Sequence, residues 1–165
     1  FSALKLVILD FDGTMTDNKV IVSEEGVESV QCNRSDGLGI KILKDLGIEV
    51  VCLTTERSRV VKVRCDKLGI KVVSTLDKAS AAKEIFKDMN VLSDNVLFLG
   101  NDLNDIPLLE KVKFPVVVRD AHIKTKSVAK IVLSQNGGDG AVLELAELIL
   151  KTRNYAPGCF TVNIG

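Results

Sequence analysis

The chain has 165 residues, enough for one domain with a sizeable core, and its 22 basic and 22 acidic side chains cancel. That balance gives no field to favour nucleic acid or an anionic membrane surface, and one Tyr with no Trp leaves little aromatic surface on which bases can stack. No apolar run approaches the ~20 residues that span a bilayer, and the start lacks the basic, apolar and small-residue series of a secretory signal. The cysteines, Cys32, Cys52, Cys65 and Cys159, have no C-x-x-C spacing, and Cys52 sits in an apolar run as a small buried hydrophobe would. A reducing, cytoplasmic setting is the expectation. The chain begins at Phe1 rather than Met, as a trimmed chain or a domain of a longer polypeptide would.

In chain order, Leu4 to Asp10 reads as a buried strand. Val20–Val22 and Val27–Val30 alternate around Ser23-Glu24-Glu25-Gly26 and predict a β-hairpin within 19–32. Ser35-Asp36 can cap a helix running to Leu46 and ended by Gly47. Ile48 to Leu53 is the next apolar strand, followed by a helix from Ser58 to Leu68 closed by Gly69. Arg57, Arg59 and Arg64 read as its solvated face. A short strand at Val72-Val73, a helix from Lys78 to Met89 and a strand from Val96 to Leu99 follow. The remainder predicts a short helix at Asp105–Lys111, strands at Phe114–Val118 and Lys130–Leu133, and a last helix from Ala141 to Lys151. One α/β domain over 1–151 with a tail over 152–165 is therefore expected. Alternation of apolar strands with helices implies a Rossmann-like three-layer fold, a central parallel sheet covered on both faces.

In such a sheet ligands bind beyond the carboxyl ends of the strands, so the residues at those tips matter most. The first tip carries Asp10-Phe11-Asp12-Gly13-Thr14. Two carboxylates one residue apart repel, which a fold tolerates if a cation sits between them or one keeps a proton. An acidic turn is the plainer alternative for that segment alone. The second tip is Thr54-Thr55-Glu56, a later one is Gly100-Asn101-Asp102-Leu103-Asn104-Asp105, and Lys78 opens a helix. A carboxylate can attack a phosphoryl group if its charge is offset, for which oxygen-ligated Mg2+ and a lysine ammonium serve. Asp12 beside Asp10 can act as acid and then base, Thr54 can donate to a phosphoryl oxygen, and Lys78 can clamp it. Asp102 and Asp105 can hold the metal or its waters.

These four ordered motifs resemble the haloacid dehalogenase superfamily, mostly magnesium-dependent phosphatases, over nearly the whole chain to Lys151. The resemblance implies Asp10 as nucleophile, Asp12 as acid/base and metal ligand through its carbonyl, phosphate binding by Thr54, Thr55 and Lys78, and Mg2+ held by Asp10, Asp12, Asn101, Asp102 and Asp105. No cap domain fits between Asp12 and Thr54 or between Thr55 and Lys78. That looks like the capless branch of phosphatases acting on eight- and nine-carbon keto-deoxy sugar acids, whose members are typically homotetramers with hairpins in a shared barrel. Arg34, Asp36, His122 and Asp139 fall in segments that match this branch and are implied substrate residues. Glu56 matches the nine-carbon type; an acidic group there repels a substrate carboxylate and suits hydroxyls or amines, which points to a sialic-acid-like phosphate. Asn101 departs from the family's usual G-D-D-x-x-D and offers a neutral, weaker magnesium ligand. The same asparagine resembles the tetramerising C-terminal domain of CMP-sialic acid synthetase, so an upstream cytidylyltransferase domain, with weak or no phosphatase activity here, is the alternative expectation.

Overall fold

The computed structural model describes residues 1–153; the expected tail from 154 onward lies outside the described residues. Six strands, β1 (Leu6–Leu9), β4 (Glu49–Thr54), β5 (Lys71–Ser74), β6 (Val96–Gly100), β7 (Phe114–Val117) and β8 (Ile131–Val132), form one sheet in the order β5-β4-β1-β6-β7-β8. Every pairing in it is parallel. With the separate hairpin β2 (Ile21–Val22) and β3 (Glu28–Ser29) set aside, this is the doubly wound order in which the chain runs outward from β1 first one way and then the other. The switch point, where neighbouring connections diverge and a crevice opens, is therefore the tip of β1.

The sheet forms because its central strands are apolar throughout. Leu6, Val7, Ile8 and Leu9 are each fully buried, with about 1.5–3 kcal/mol expected per large side chain so removed from water. Right-handed crossovers put α1 (Ser35–Asp45) and α2 (Arg59–Leu68) on one face and α3 (Lys78–Asp88), α4 (Ile106–Leu109) and α5 (Ile123–Val128) on the other. The last helix, α6 (Ala141–Thr152), packs back on α1. Between Asp12 and Thr54 stand only the hairpin and α1, so among the described residues no cap domain is inserted over the tip of β1. An isolated bridge, Thr16 to Cys32, closes the hairpin's base.

Several expectations change. α5 was not predicted: its six residues, Ile-Lys-Thr-Lys-Ser-Val, bury only Thr125 and so carry no apolar stripe. Asp105–Lys111 is a 3₁₀ turn, Leu103–Asp105, followed by the single turn of α4, with Pro107 near its start. The tail begins later than Lys151, since Thr152 belongs to α6. Arg153 then ties the helix end to the first strand's approach, donating from Nη2 to the Leu4 carbonyl at 2.7 Å and from Nη1 to the Leu46 carbonyl at 3.1 Å.

Ser35-Asp36 does not cap α1, whose N-cap is Arg34 without a side-chain bond. Asp36 instead crosses to α6, where its Oδ1 accepts from the Val142 amide at 3.2 Å, at an N-terminus whose own cap residue is Gly140. Burial first, against the pull of that amide, pushes its pKa up to about 6. Asp36→Ala should leave the Val142 amide buried without an acceptor, costing about 1–3 kcal/mol. Urea unfolding measures this; a midpoint within experimental scatter of the parent would show that the contact contributes nothing.

Candidate active site

Four loops converge at the tip of β1. Asp10 follows the strand directly, its backbone amide bonded to the Leu99 carbonyl of β6, and the residue is 4 % exposed. Lys78, the first residue of α3, is 3 % exposed, and its Nζ donates to Asp10 Oδ1 at 2.7 Å and to Asp105 Oδ1 at 2.6 Å. Asp105 is fully buried; its other oxygen, Oδ2, accepts from the backbone amides of Asn101 (2.8 Å) and Asp102 (3.1 Å). One ammonium thus serves two buried carboxylates.

The charge count governs the titration. Burial, then the Asp105 charge, push Asp10 up to about 7, against the opposing attraction and hydrogen bond of Lys78. Burial alone would lower Lys78, but Asp10 and Asp105 outweigh it and hold the ammonium charged above its ordinary range. Asp12 is half-buried, and burial followed by the Glu56 charge raises it despite Lys78. That shift favours the protonated form, the form a general acid needs.

A cleft of about 180 Å³ opens over this centre, lined by Asp10, Asp12, Asn18, Thr54, Thr55, Asn101, Asp102 and Asn104. Thr54 Oγ1 accepts from the Glu56 amide at 3.0 Å, which leaves its proton free to donate. Gly13 has φ +73°, and a β-carbon there would overlap the Asn101 side-chain amide, so only glycine lets Asn101 reach in beside Asp12.

Asn101 Oδ1 is buried with no hydrogen-bond partner. An orphaned buried acceptor costs about 1–3 kcal/mol, so its position beside Asp10 and Asp12 calls for a ligand. Among the described residues no three His, Cys, Asp or Glu side chains gather as a metal cage. Asp10, Asp12 and Asp102 line the cleft together with the neutral amide of Asn101, an oxygen donor set that fits Mg2+, an ion that keeps several waters and takes few protein ligands.

The expected metal set needs one correction. Asp105 does not face the cleft: Lys78 and the two amides take both its oxygens, because an ammonium buried in a sheet crevice must be fully compensated. It positions Lys78 and the Asn101 loop. Asp102 stays at the cleft, with Oδ1 engaged by the Leu103 amide at 2.6 Å.

The implied substrate residues scatter. Asp36 is buried against α6, so it cannot touch a ligand. Arg34 and Asp139 are exposed and do not line the cleft. His122 caps α5, its Nδ1 accepting from the Lys124 amide at 3.2 Å, and touches the site only through its backbone amide on the Asn101 carbonyl. Glu56 lies nearer. Its Oε1 accepts from the Arg57 and Ser58 amides, and it lines a cleft of about 790 Å³ between hairpin and α2 together with Glu28, Arg59, Arg64 and Lys67. Arg64 is not simply solvated: it donates to the Asn33 carbonyl at 2.8 Å. Asn18 and Asn104 line the active cleft and were not anticipated; loop asparagines carry no sequence signal that separates them from turn residues.

The switch point of the sheet thus carries a buried carboxylate–lysine–carboxylate centre beside an oxygen-lined cleft, as an α/β enzyme would. Residues 70–145 match the family model for haloacid dehalogenase-like hydrolases. The 3-deoxy-D-manno-octulosonate 8-phosphate phosphatase KdsC of Haemophilus influenzae is 33 % identical over 152 residues, 91 % of this chain and 84 % of the relative. KdsC of Escherichia coli K12 is 34 % identical over 149 residues, 89 % of this chain and 79 % of the relative. The crystal structure of the Moraxella catarrhalis 3-deoxy-D-manno-octulosonate 8-phosphate phosphatase, in complex with magnesium ion, phosphate ion and a KDO molecule, superposes with a TM-score of 0.87 at 32 % identity, covering 90 % of this chain and 87 % of that one. The chain belongs to the haloacid dehalogenase-like hydrolases and is an enzyme of the phosphoric monoester hydrolase class.

Proposed function

We propose that this chain is a magnesium-dependent phosphatase of a keto-deoxy sugar acid phosphate, working through an aspartyl-phosphate. The observation that carries the reading is the Lys78 ammonium bridging Asp10 and Asp105 beneath an oxygen-lined cleft. Asp10 attacks phosphorus, and Asp12 gives its proton to the departing sugar oxygen. Asp12 then takes a proton from the water that splits the acyl phosphate, so one group serves both half-reactions. Thr54 donates its free hydroxyl proton to a phosphoryl oxygen, Thr55 borders the same cleft, and Lys78 offsets the gathering negative charge. When bound by Asp10, Asp102, the Asn101 amide oxygen and the Asp12 carbonyl, Mg2+ supplies the remaining positive charge against the phosphoryl oxygens.

The finer reading is a sialic-acid-like, nine-carbon substrate rather than an octulosonate. It is supported by Glu56 at the larger cleft, where a carboxylate favours hydroxyl or amine groups. Steady-state assays on a panel of sugar acid phosphates with Mg2+ test both levels. Turnover of the nine-carbon esters in preference to the eight-carbon ones is expected. The opposite order overturns the finer reading, and no turnover of any ester overturns the whole.

The hairpin favours a second, compatible role in assembly. Val20, Ile21, Val22 and Val27 stand 55–72 % exposed on the hairpin, an apolar surface that a homotetramer would cover and that would exclude water from capless sites. That role suits either a free-standing cytoplasmic phosphatase or a domain fused to a cytidylyltransferase, and a monomer by light scattering would overturn it. The metal ligand is tested separately. Asn101→Asp adds a charge at the orphaned acceptor and should tighten Mg2+ binding roughly tenfold by calorimetry; an unchanged affinity would remove Asn101 from the metal's ligands.

A further inference from the structure

Asn18 lines the active cleft, yet the scheme above does not use it. Its backbone φ is 63°, in the left-handed region that glycine enters freely and asparagine tolerates better than other side chains. A turn asparagine ordinarily earns that place by bonding its own backbone two residues on. Here that task falls to Thr16, whose Oγ1 accepts from the Asn18 amide at 3.3 Å and from the Gly13 amide at 3.2 Å. The hydrogen bonds at Asn18 among the described residues run through its backbone alone, so its carboxamide is spare. A β-carbon on Gly13 would stand 3.3 Å from Asn18 Cγ and overlap the Asn101 carboxamide, so both asparagines border Gly13.

We propose that Asn18 is a substrate-binding residue that donates from its carboxamide to an oxygen of the phosphoryl group held at Asp10. This rests on the phosphatase reading. The chemistry favours an amide at this position. The cleft already holds Asp10, Asp12 and Asp102, so a further carboxylate would repel a phosphate dianion, whereas a neutral NH2 offers two donors with no added charge. Side chain and strained turn are thus separable, because glycine satisfies the backbone and removes only the amide.

The test is Asn18→Gly, read by KM for p-nitrophenyl phosphate, by competitive inhibition with inorganic phosphate, and by thermal melting. Loss of one donor to a charged oxygen should raise KM and the phosphate inhibition constant about 5- to 10-fold, with a melting temperature no lower than the parent's. Asn18→Asp should raise them further. Unchanged phosphate inhibition in Asn18→Gly would show a turn residue only and overturn the proposal. Phosphate binding by calorimetry in the presence of Mg2+ keeps the two readings apart. A parent chain that binds phosphate more tightly than Asn18→Gly but hydrolyses no ester fails as a phosphatase while the Asn18 contact stands. A parent that binds no phosphate overturns the Asn18 contact.

Discussion

Asp10→Asn should abolish phosphatase turnover, by at least about a thousandfold, while making the metal-free protein more stable above neutral pH. The two effects have one cause. Asp10 is buried with Asp105 around a single ammonium, and burial followed by the Asp105 charge raises it from an ordinary 3.8 to about 7. A carboxyl raised in the fold is one whose protonated form the fold favours. Its contribution is therefore fully present below about pH 4, declines as pH rises toward 7, and is absent beyond. At ~1.4 kcal/mol per pH unit that interval bounds the loss at about 4 kcal/mol. Asparagine is neutral at every pH and still offers Lys78 an acceptor, so roughly 1–3 kcal/mol should be recovered at pH 8 and little at pH 5. For a chain of this length that is a rise in melting temperature of roughly 3–8 °C. Melts in chelator at the two pH values measure it. An equal shift at both, or none at pH 8, would mean that the buried charge is compensated by something other than a proton.

The second large effect lies outside the charged centre. Gly137, between β8 and α6, sits against the catalytic loop so closely that a β-carbon would overlap the Gly13 carbonyl oxygen and stand 2.9 Å from the Thr16 carbonyl oxygen. Its amide donates to Asp120 Oδ1 at 2.9 Å, and the next amide, Gly138, donates to the Thr14 carbonyl at 3.1 Å. The obstructing atoms are backbone, so no rotamer change relieves them. The loop must move, and with it the segment in which Thr14, Met15 and Thr16 turn back on the Phe11 carbonyl immediately after Asp10. Gly137→Ala should cost about 3 kcal/mol or more and lower the melting temperature by roughly 6–12 °C. It should also reduce kcat at least tenfold in the fraction that remains folded. Gly26→Ala is the control. Gly26 has a positive φ, 76°, which Gly137 lacks, but nothing lies within 4 Å of its β position, so about 1 kcal/mol and unchanged kcat are expected. A loss at Gly137 no larger than at Gly26 would show that close contact with the loop after Asp10 is not the reason for Gly137.

By itself the sequence determined the strand–helix alternation, the parallel sheet and the carboxylates at the first tip. Those rest on local patterns: unbroken apolar runs at β1, β4 and β6, a glycine after α2, and Asp10 and Asp12 one residue apart. Element limits fell within two residues for these because burial and capping act over one or two turns. Short elements escaped, as α5 did, since six residues with one buried side chain have no period to read. Only the tertiary structure decided what each acid does. Lys78 meets Asp10 across 68 positions of sequence, and Asp36 meets Val142 across 106. The spacing in Gly100-Asn101-Asp102-Leu103-Asn104-Asp105 says that carboxylates lie on one loop, but not which oxygens turn inward. The buried ammonium settles that, because without a second counter-charge its desolvation would go uncompensated, and so Asp105 serves Lys78 while the Asn101 amide oxygen stays buried without a partner beside the cleft.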